Sequence, residues 1–354
     1  MKTLKIILIA AILITVTAVT LSCKRGKTAS AEEADVRNGT AVLVTGAAAR
    51  IPQEAALLEA LYDRGLLKDV VFISGVSSGA LNAVMLNGIL SGKMTWTEYR
   101  KMLFSLCNDD VFIQDGKRLP VNTEPLREYL TGVVEGKLGY HAIGDLPITT
   151  SISFAHIAEP VPRETVYRMC SRKINTETDT TLSLVDILMA STSFPIAFPP
   201  VKIKNVTTIP DDEYIDGGVG DDHVPFQSLL EFEKFRGQEV SKVYVISRKS
   251  DSIPEISEEL RLLGINDKGV FDRSGLSLDN ILQRGMLRRL QAYSRLAPDH
   301  VPYTYVWVPD FEALFPMFNF NNLEEQYKLT AEWAKSHQPV PLEEYLQLEK
   351  TKTP

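Results

Sequence analysis

Only three cysteines occur in the 354 residues, too few for a disulfide scaffold or a four-thiolate zinc site. The five histidines, His141, His156, His223, His300 and His337, have no metal-ligand spacing. Each reads as a surface or internally satisfied residue, and no metal or other cofactor is expected. Positive charge is also scarce: 38 Lys+Arg against 45 Asp+Glu leave a net charge of −7. That balance argues against nucleic-acid binding and against adhesion to anionic lipid through a basic face. There is no internal repeat and no Pro/Gly-rich linker to divide the chain. What remains is ordinary for a globular protein, with 44% hydrophobic and 23% charged residues, enough to bury a full core.

The first residues read as an address. Lys2 and Lys5 precede a charge-free stretch from Ile6 to Cys23, the pattern of an export signal. Its end, Leu21-Ser22-Cys23, resembles the lipobox of bacterial lipoproteins, although Thr20 stands where such a motif usually has leucine. Three outcomes follow: lipidation of Cys23, an uncleaved anchor, or plain secretion. All put the globular part outside the cytoplasm, and the first two hold it at a membrane surface. Residues 1–22 form the signal, and 23–39 a polar tether that cannot bury enough surface to order itself. Cys107 and Cys170 are then the only possible disulfide pair.

From residue 40 the chain reads as one α/β domain to about 340, with 341–354 as a C-terminal tail. Ala41-Val42-Leu43-Val44 and Val70-Val71-Phe72-Ile73 are short apolar runs that suit buried strands. Between them Pro52 opens a helix striped by Leu57, Leu58 and Leu61 and closed near Gly65. A second helix runs from Ala80 to Leu90. Strand, helix, strand, helix with continuous apolar strands predicts a mostly parallel sheet covered on both faces. Further strands are expected at Ile148–Phe154, Val243–Ser247 and Tyr303–Val308, and a helix at Leu184–Ala190. The irregular stretch from Ser91 to Gly144 is expected to shape a substrate entrance. Ser250 to Asn280 reads as a charged loop, and Phe315–Phe320 as core packing.

Three segments carry chemistry. Gly75-Val76-Ser77-Ser78-Gly79 is a G-x-S-x-G between a strand and a helix, where a nucleophile elbow has to be. A serine there projects clear of the sheet above a helix N-terminus, which favours developing negative charge. The plainer reading is a glycine turn that packs helix on sheet. Asp216-Gly217-Gly218 puts a carboxylate on a tight loop, which alone is usually a turn. Thr45-Gly46-Ala47-Ala48-Ala49-Arg50 ends the first strand. Its small residues can turn successive N–H groups toward one point, as an oxyanion hole needs, or form an ordinary strand-to-helix turn.

In this order the three resemble the patatin-like phospholipase family. Asp186-Ile187-Leu188-Met189-Ala190-Ser191 leading to Phe194-Pro195 and Phe198-Pro199-Pro200-Val201 adds to the likeness, as does Thr123-Glu124-Pro125-Leu126. The resemblance implies a three-layer α/β/α patatin-like fold and a lipid acyl-ester substrate. It implies Ser77 as nucleophile and Asp216 as its only side-chain partner. An oxyanion hole would come from the N–H groups of Gly46, Ala47 and Ala48, with Arg50, Gly75, Gly79, Gly217 and Gly218 supporting the motifs. The first loop departs from the family pattern: Ala47 and Ala48 replace glycines, and Ile51 replaces the glycine after Arg50. Alanine keeps its N–H but is not expected at positive φ, so the loop is expected to be less open.

Other readings stay open. His300 or His337 would complete a Ser-Asp-His triad. Asp211, Asp212, Glu213, Asp221 and Asp222 form either a solvated acidic loop or a cation site. Asn38 and Asn205 begin glycosylation sequons. The expected activity is phospholipase A, lysophospholipase or esterase hydrolysis. Its rivals are acyl transfer to an acceptor other than water and a non-catalytic envelope lipoprotein binding lipid or protein.

Overall fold

The computed structural model describes residues 37–113, 119–157, 164–195, 197–250 and 278–352. The signal, Cys23, nearly all of the tether and the loop expected from Ser250 to Asn280 lie outside these residues, apart from their ends. Among the described residues no helix is long and apolar enough to cross a membrane.

The strands are β1 (Thr40–Val44), β2 (Val70–Val76), β3 (Thr149–Ile157), β4 (Glu164–Cys170), β5 (Val201–Lys202), β6 (Glu213–Asp216), β7 (Lys242–Ile246), β8 (Thr304–Trp307) and β9 (Val340–Pro341). The helices are α1 (Ile51–Asp63), α2 (Ser78–Leu90), α3 (Trp96–Ser105), α4 (Asn108–Val111), α5 (Glu124–Leu130), α6 (Leu184–Thr192), α7 (Gln227–Arg236), α8 (Leu278–Leu296), α9 (Leu323–Ser336) and α10 (Leu342–Lys352). The strands join in the order β5-β6-β3-β2-β1-β7-β8-β9, with β4 also on β3. The pairs β3–β2, β2–β1, β1–β7 and β7–β8 are parallel. The antiparallel members β4, β5, β6 and β9 sit around this parallel centre.

Side chains of the central strands alternate between two cores, as the two-residue period of a strand requires. Val42, Val44, Ile73 and Ile246 join one cluster with Leu57, Leu58, Val84, Leu188 and Tyr327, packing α1, α2, α6 and α9 on one face. Ala41, Leu43, Phe72, Val243 and Val245 join the other with Leu229, Leu290, Tyr293 and Leu342, from α7, α8 and α10. Apolar side chains on both faces explain the unbroken runs seen in the sequence, and the three-layer α/β/α fold follows.

The expected strands and helices form, with ends displaced by up to three residues. Missing from the sequence reading are the short β5, β6 and β9 and the polar β4. Residues 342–352, read as part of a tail, form α10. Leu342 is fully buried and Tyr345 nearly so, because the apolar positions of this charged segment share one face. Cys107 and Cys170 are free thiols.

A tail leucine could be shortened without effect, whereas a core leucine could not. Leu342→Ala is expected to lower unfolding free energy by about 2–4 kcal/mol in a denaturant titration.

Candidate active site

Strand β3 acts as a splint. One of its edges carries β4 from Ser151 onward; the other carries β2 up to the Ser153–Val76 pair and then β6 from the Phe154–Asp216 pair. Because β2 runs parallel to β3 and β6 antiparallel, their C-terminal ends meet head to head. Ser77 follows the last residue of β2, and Asp216 is the last residue of β6. The Ser77 hydroxyl comes close enough to the Asp216 carboxylate to lower its pKa.

Ser77 holds φ 57° and ψ −136°, a strained backbone for a residue with a side chain, costing about 1–3 kcal/mol. Its neighbours hold it there. The Ser77 N–H donates to Ser191 Oγ at 2.9 Å, and Ser191 Oγ–H donates to the Ser153 carbonyl at 2.7 Å. The turn closes only with glycine at both flanks. A β-carbon on Gly79 would come 2.1 Å from the Thr45 carbonyl oxygen, and one on Gly75 2.5 Å from that of Gly79.

Asp216 is buried, with 2% exposure. Its N–H donates to the Ser193 carbonyl, and its Oδ1 accepts the Gly218 N–H at 2.8 Å. Burial raises its pKa to about 6, against the lowering effect of the nearby Ser77 hydroxyl and the Gly218 N–H. Gly217 backs onto the Ser153 carbonyl, which a β-carbon would approach to 2.7 Å.

The loop after β1 covers the serine, and a β-carbon on Gly46 would lie 3.0 Å from Ser77 Cβ. The expected donor set needs one correction. The Ala47 N–H already donates to Ser78 Oγ at 2.8 Å, so it is committed to anchoring the loop. The Gly46 and Ala48 N–H groups have no hydrogen-bond partner among the described residues. Ala48 overturns a second expectation, since it stands at φ 46° in spite of its side chain. The loop is pinned on its far side: Ala49 N–H donates to the Met317 carbonyl at 2.8 Å, and the buried Arg50 donates from Nε to the Phe315 carbonyl at 2.9 Å.

Behind the loop, fully buried Glu54 contacts the Thr45 hydroxyl at 2.9 Å, and Asn82 Nδ2 at 3.1 Å. Thr45 Oγ1 also lies 2.8 Å from Ser247 Oγ. One hydroxyl has one proton, so both Thr45 contacts are satisfied together when Thr45 donates to Glu54 and Ser247 donates to Thr45. Burial raises Glu54 to about 8, against the lowering effect of the Thr45 and Asn82 hydrogen bonds and of the Arg248 charge.

Ser77, Asp216, Gly46, Ala47, Ala48 and Gly218 line one pocket, with about 40 Å³ of free space. A profile of the patatin-like phospholipase family matches residues 43–230, which contain all three chemical segments. The chain belongs to the patatin-like phospholipase family. With that family it belongs to the lipid hydrolases in general.

Among solved structures, the chain is similar to VipD from Legionella pneumophila, with 13% identity and a TM-score of 0.44. That match covers 86% of this chain and 68% of VipD. It is also similar to the type III effector protein ExoU of Pseudomonas aeruginosa, with 12% identity and a TM-score of 0.37. There the match covers 88% of this chain and 53% of the other, so the chain spans about half of ExoU. No curated protein matches the chain at a significant level.

The patatin-like pocket has walls the sequence did not disclose. Leu282 and Met286 of α8, together with Met317, close it. No described residue between Ser91 and Gly144 lines it, contrary to the expected entrance. Met317 belongs to the segment read only as core packing. His223, read as unremarkable, is in the lining, whereas the two triad candidates are not. His300 is buried between Tyr293 (2.8 Å) and Glu233 (3.1 Å), and His337 stacks on Trp333.

The acidic loop also divides. Asp222 is fully buried and paired with Arg168 at 3.0 Å and Arg289 at 3.4 Å, while Asp211 faces Lys202 and Asp212 faces His156. No metal-holding acid or histidine cluster occurs among the described residues.

Glycine adopts the φ of Ala48 without strain, and alanine does not. Ala48→Gly is therefore expected to raise unfolding free energy by about 0.5–1 kcal/mol, read as a higher denaturant midpoint.

Proposed function

We propose that the chain is a serine carboxylic-ester hydrolase of lipid acyl esters, with Ser77 as nucleophile and Asp216 as base. The observation that supports this reading is the juxtaposition of the strained Ser77 with a buried carboxylate in one pocket, where β2 and β6 end against consecutive residues of β3. Ser77 Oγ attacks the ester carbonyl carbon while its proton passes to Asp216. The N–H groups of Gly46 and Ala48 receive the tetrahedral oxyanion; one such donor is worth about 10²–10³ in rate. Collapse breaks the bond to the alcohol oxygen, which takes the proton from Asp216. Water then attacks acyl-Ser77 with Asp216 again accepting a proton, and that proton returns to Ser77.

A carboxylate with an unperturbed pKa near 3.9 is a weak base. Raised to about 6, Asp216 is a better one and is still ionised at neutral pH. The apolar walls offered by Phe194, Leu282, Met286 and Met317 suit an acyl chain. The present free space is smaller than such a chain, so these side chains must give way; methionines do so readily. We further propose that the protein is exported and held at a membrane through lipidated Cys23, on the strength of residues 2–23.

Ser77→Ala and Asp216→Asn are each expected to remove at least about 10³-fold of p-nitrophenyl ester hydrolysis. Ser77→Ala should also abolish labelling by a fluorophosphonate. Wild-type kcat/KM should rise with pH along an apparent pKa near 6, as Asp216 ionises. Stability runs the other way. The folded state holds this proton more tightly than the unfolded chain, so the contribution is complete below about pH 4 and lost by about pH 6. Asp216→Asn is thus expected to be more stable than wild type at pH 7, by about 1–3 kcal/mol in urea. Mass spectrometry of the mature N-terminus should find an acylated Cys23; a free thiol there would refute the anchor.

A further inference from the structure

The dyad reaction leaves two ionisable side chains of the pocket unused, Arg248 and His223. His223 follows β6, on the turn that begins at Asp216-Gly217-Gly218. A β-carbon on Gly218 would lie 3.1 Å from Asp216 Oδ1 and 3.8 Å from His223 Nδ1. The carboxylate and the imidazole therefore flank the same glycine. The Nε2 edge of the ring packs on the backbone of α8, where a β-carbon on Gly285 would come within 2.2 Å. The ring is held between two glycines, yet among the described residues its nitrogens have no hydrogen-bond partner.

Asp221, Asp222, Arg248 and Arg288 are the charged groups acting on the ring. Burial outweighs the attraction of the two carboxylates and pushes the imidazole down to about 4. It is neutral at physiological pH, with one N–H donor and one acceptor nitrogen.

An ester has an acyl half and an alcohol half, and this pocket has two kinds of wall. Phe194, Leu282, Met286 and Met317 are apolar, whereas Asp216, His223, Arg248, Thr45 and Ser247 are polar. The alcohol oxygen must reach Asp216 to take its proton. The alcohol half therefore lies on the Asp216 side, beside His223.

We propose that His223 is a specificity residue whose Nδ1 edge hydrogen-bonds a hydroxyl of the alcohol half, so that partial esters of polyols are preferred over esters of simple alkanols. No bond is made or broken at the imidazole. The inference rests on the ester-hydrolase reading above and adds the alcohol class to it.

The test compares two esters of one acid, 1-decanoylglycerol and propyl decanoate, with the full-length chain in detergent. Wild type is expected to favour the glycerol ester in kcat/KM by about 10-fold or more. His223→Leu should lower kcat/KM for the glycerol ester about 10-fold or more, and for the propyl ester far less, so that the ratio approaches one. His223→Asn places an amide near the Nδ1 position and should restore part of the ratio. Retained fluorophosphonate labelling in both variants shows that Ser77 is still presented.

Equal losses on the two esters, or a ratio that survives His223→Leu, would overturn the proposal while leaving the hydrolase reading intact. A loss seen only with 1-decanoylglycerol 3-phosphate would assign the contact to phosphate and would overturn it too. A wild type that cleaves neither ester and takes no label would overturn the hydrolase reading, and this inference with it.

Discussion

The candidate site depends on one edge of β3. Two strands that are 140 positions apart at their pairing residues, Val76 and Asp216, end against consecutive residues of that edge, Ser153 and Phe154. The ladder hydrogen bonds thus set the distance between hydroxyl and carboxylate, and no long flexible loop intervenes. A slip of one residue in either strand would turn its side chains to the opposite face and separate the pair. Ser191 ties the same junction from below, accepting the Ser77 N–H and donating to the Ser153 carbonyl.

Around this junction the structure accumulates unfavourable local states. Ser77 and Ala48 hold positive φ, and two carboxyl groups, Asp216 and Glu54, are out of water. Each is tolerated because its surroundings are rigid. The loop of Ala48 is clamped by Ser78 on one side and by the Phe315–Met317 backbone on the other. Both faces of the central sheet are sealed by large apolar clusters, which supply the stability that such strain consumes.

Much of this was legible in the sequence, for physical reasons. Strands buried on both faces must be apolar throughout, so β1, β2, β7 and β8 announced themselves. A serine on a tight strand-to-helix turn needs small flanking residues, so the elbow was plain. The obscure parts were those whose character comes from distant partners. Strand β6 has four residues after an acidic stretch, and its pairing with β3 and the short β5 makes it a strand. Asp222 looked solvated because Arg168 and Arg289, which neutralise it, lie far away in the chain. α10 looked like a tail because its apolar residues are few and each needs α8 and β8 to bury it. Ala48 was misjudged because intrinsic preference, about 1 kcal/mol, was outweighed by three hydrogen bonds around it. His223 carried no motif at all; its place follows from the turn after Asp216 and from Gly285.

Glu54 extends this picture beyond the reacting atoms. Its carboxyl stays protonated until about pH 8, whereas Asp216 is ionised above about pH 6. Two acids of like chemistry thus occupy opposite charge states across neutrality, one bare toward the pocket and one capped beneath the loop. Alkali would place a buried charge there, met by the Thr45 hydroxyl, Asn82 Nδ2 and the field of Arg248. The cost of that charge would fall on a residue of α1 that stands outside the pocket lining.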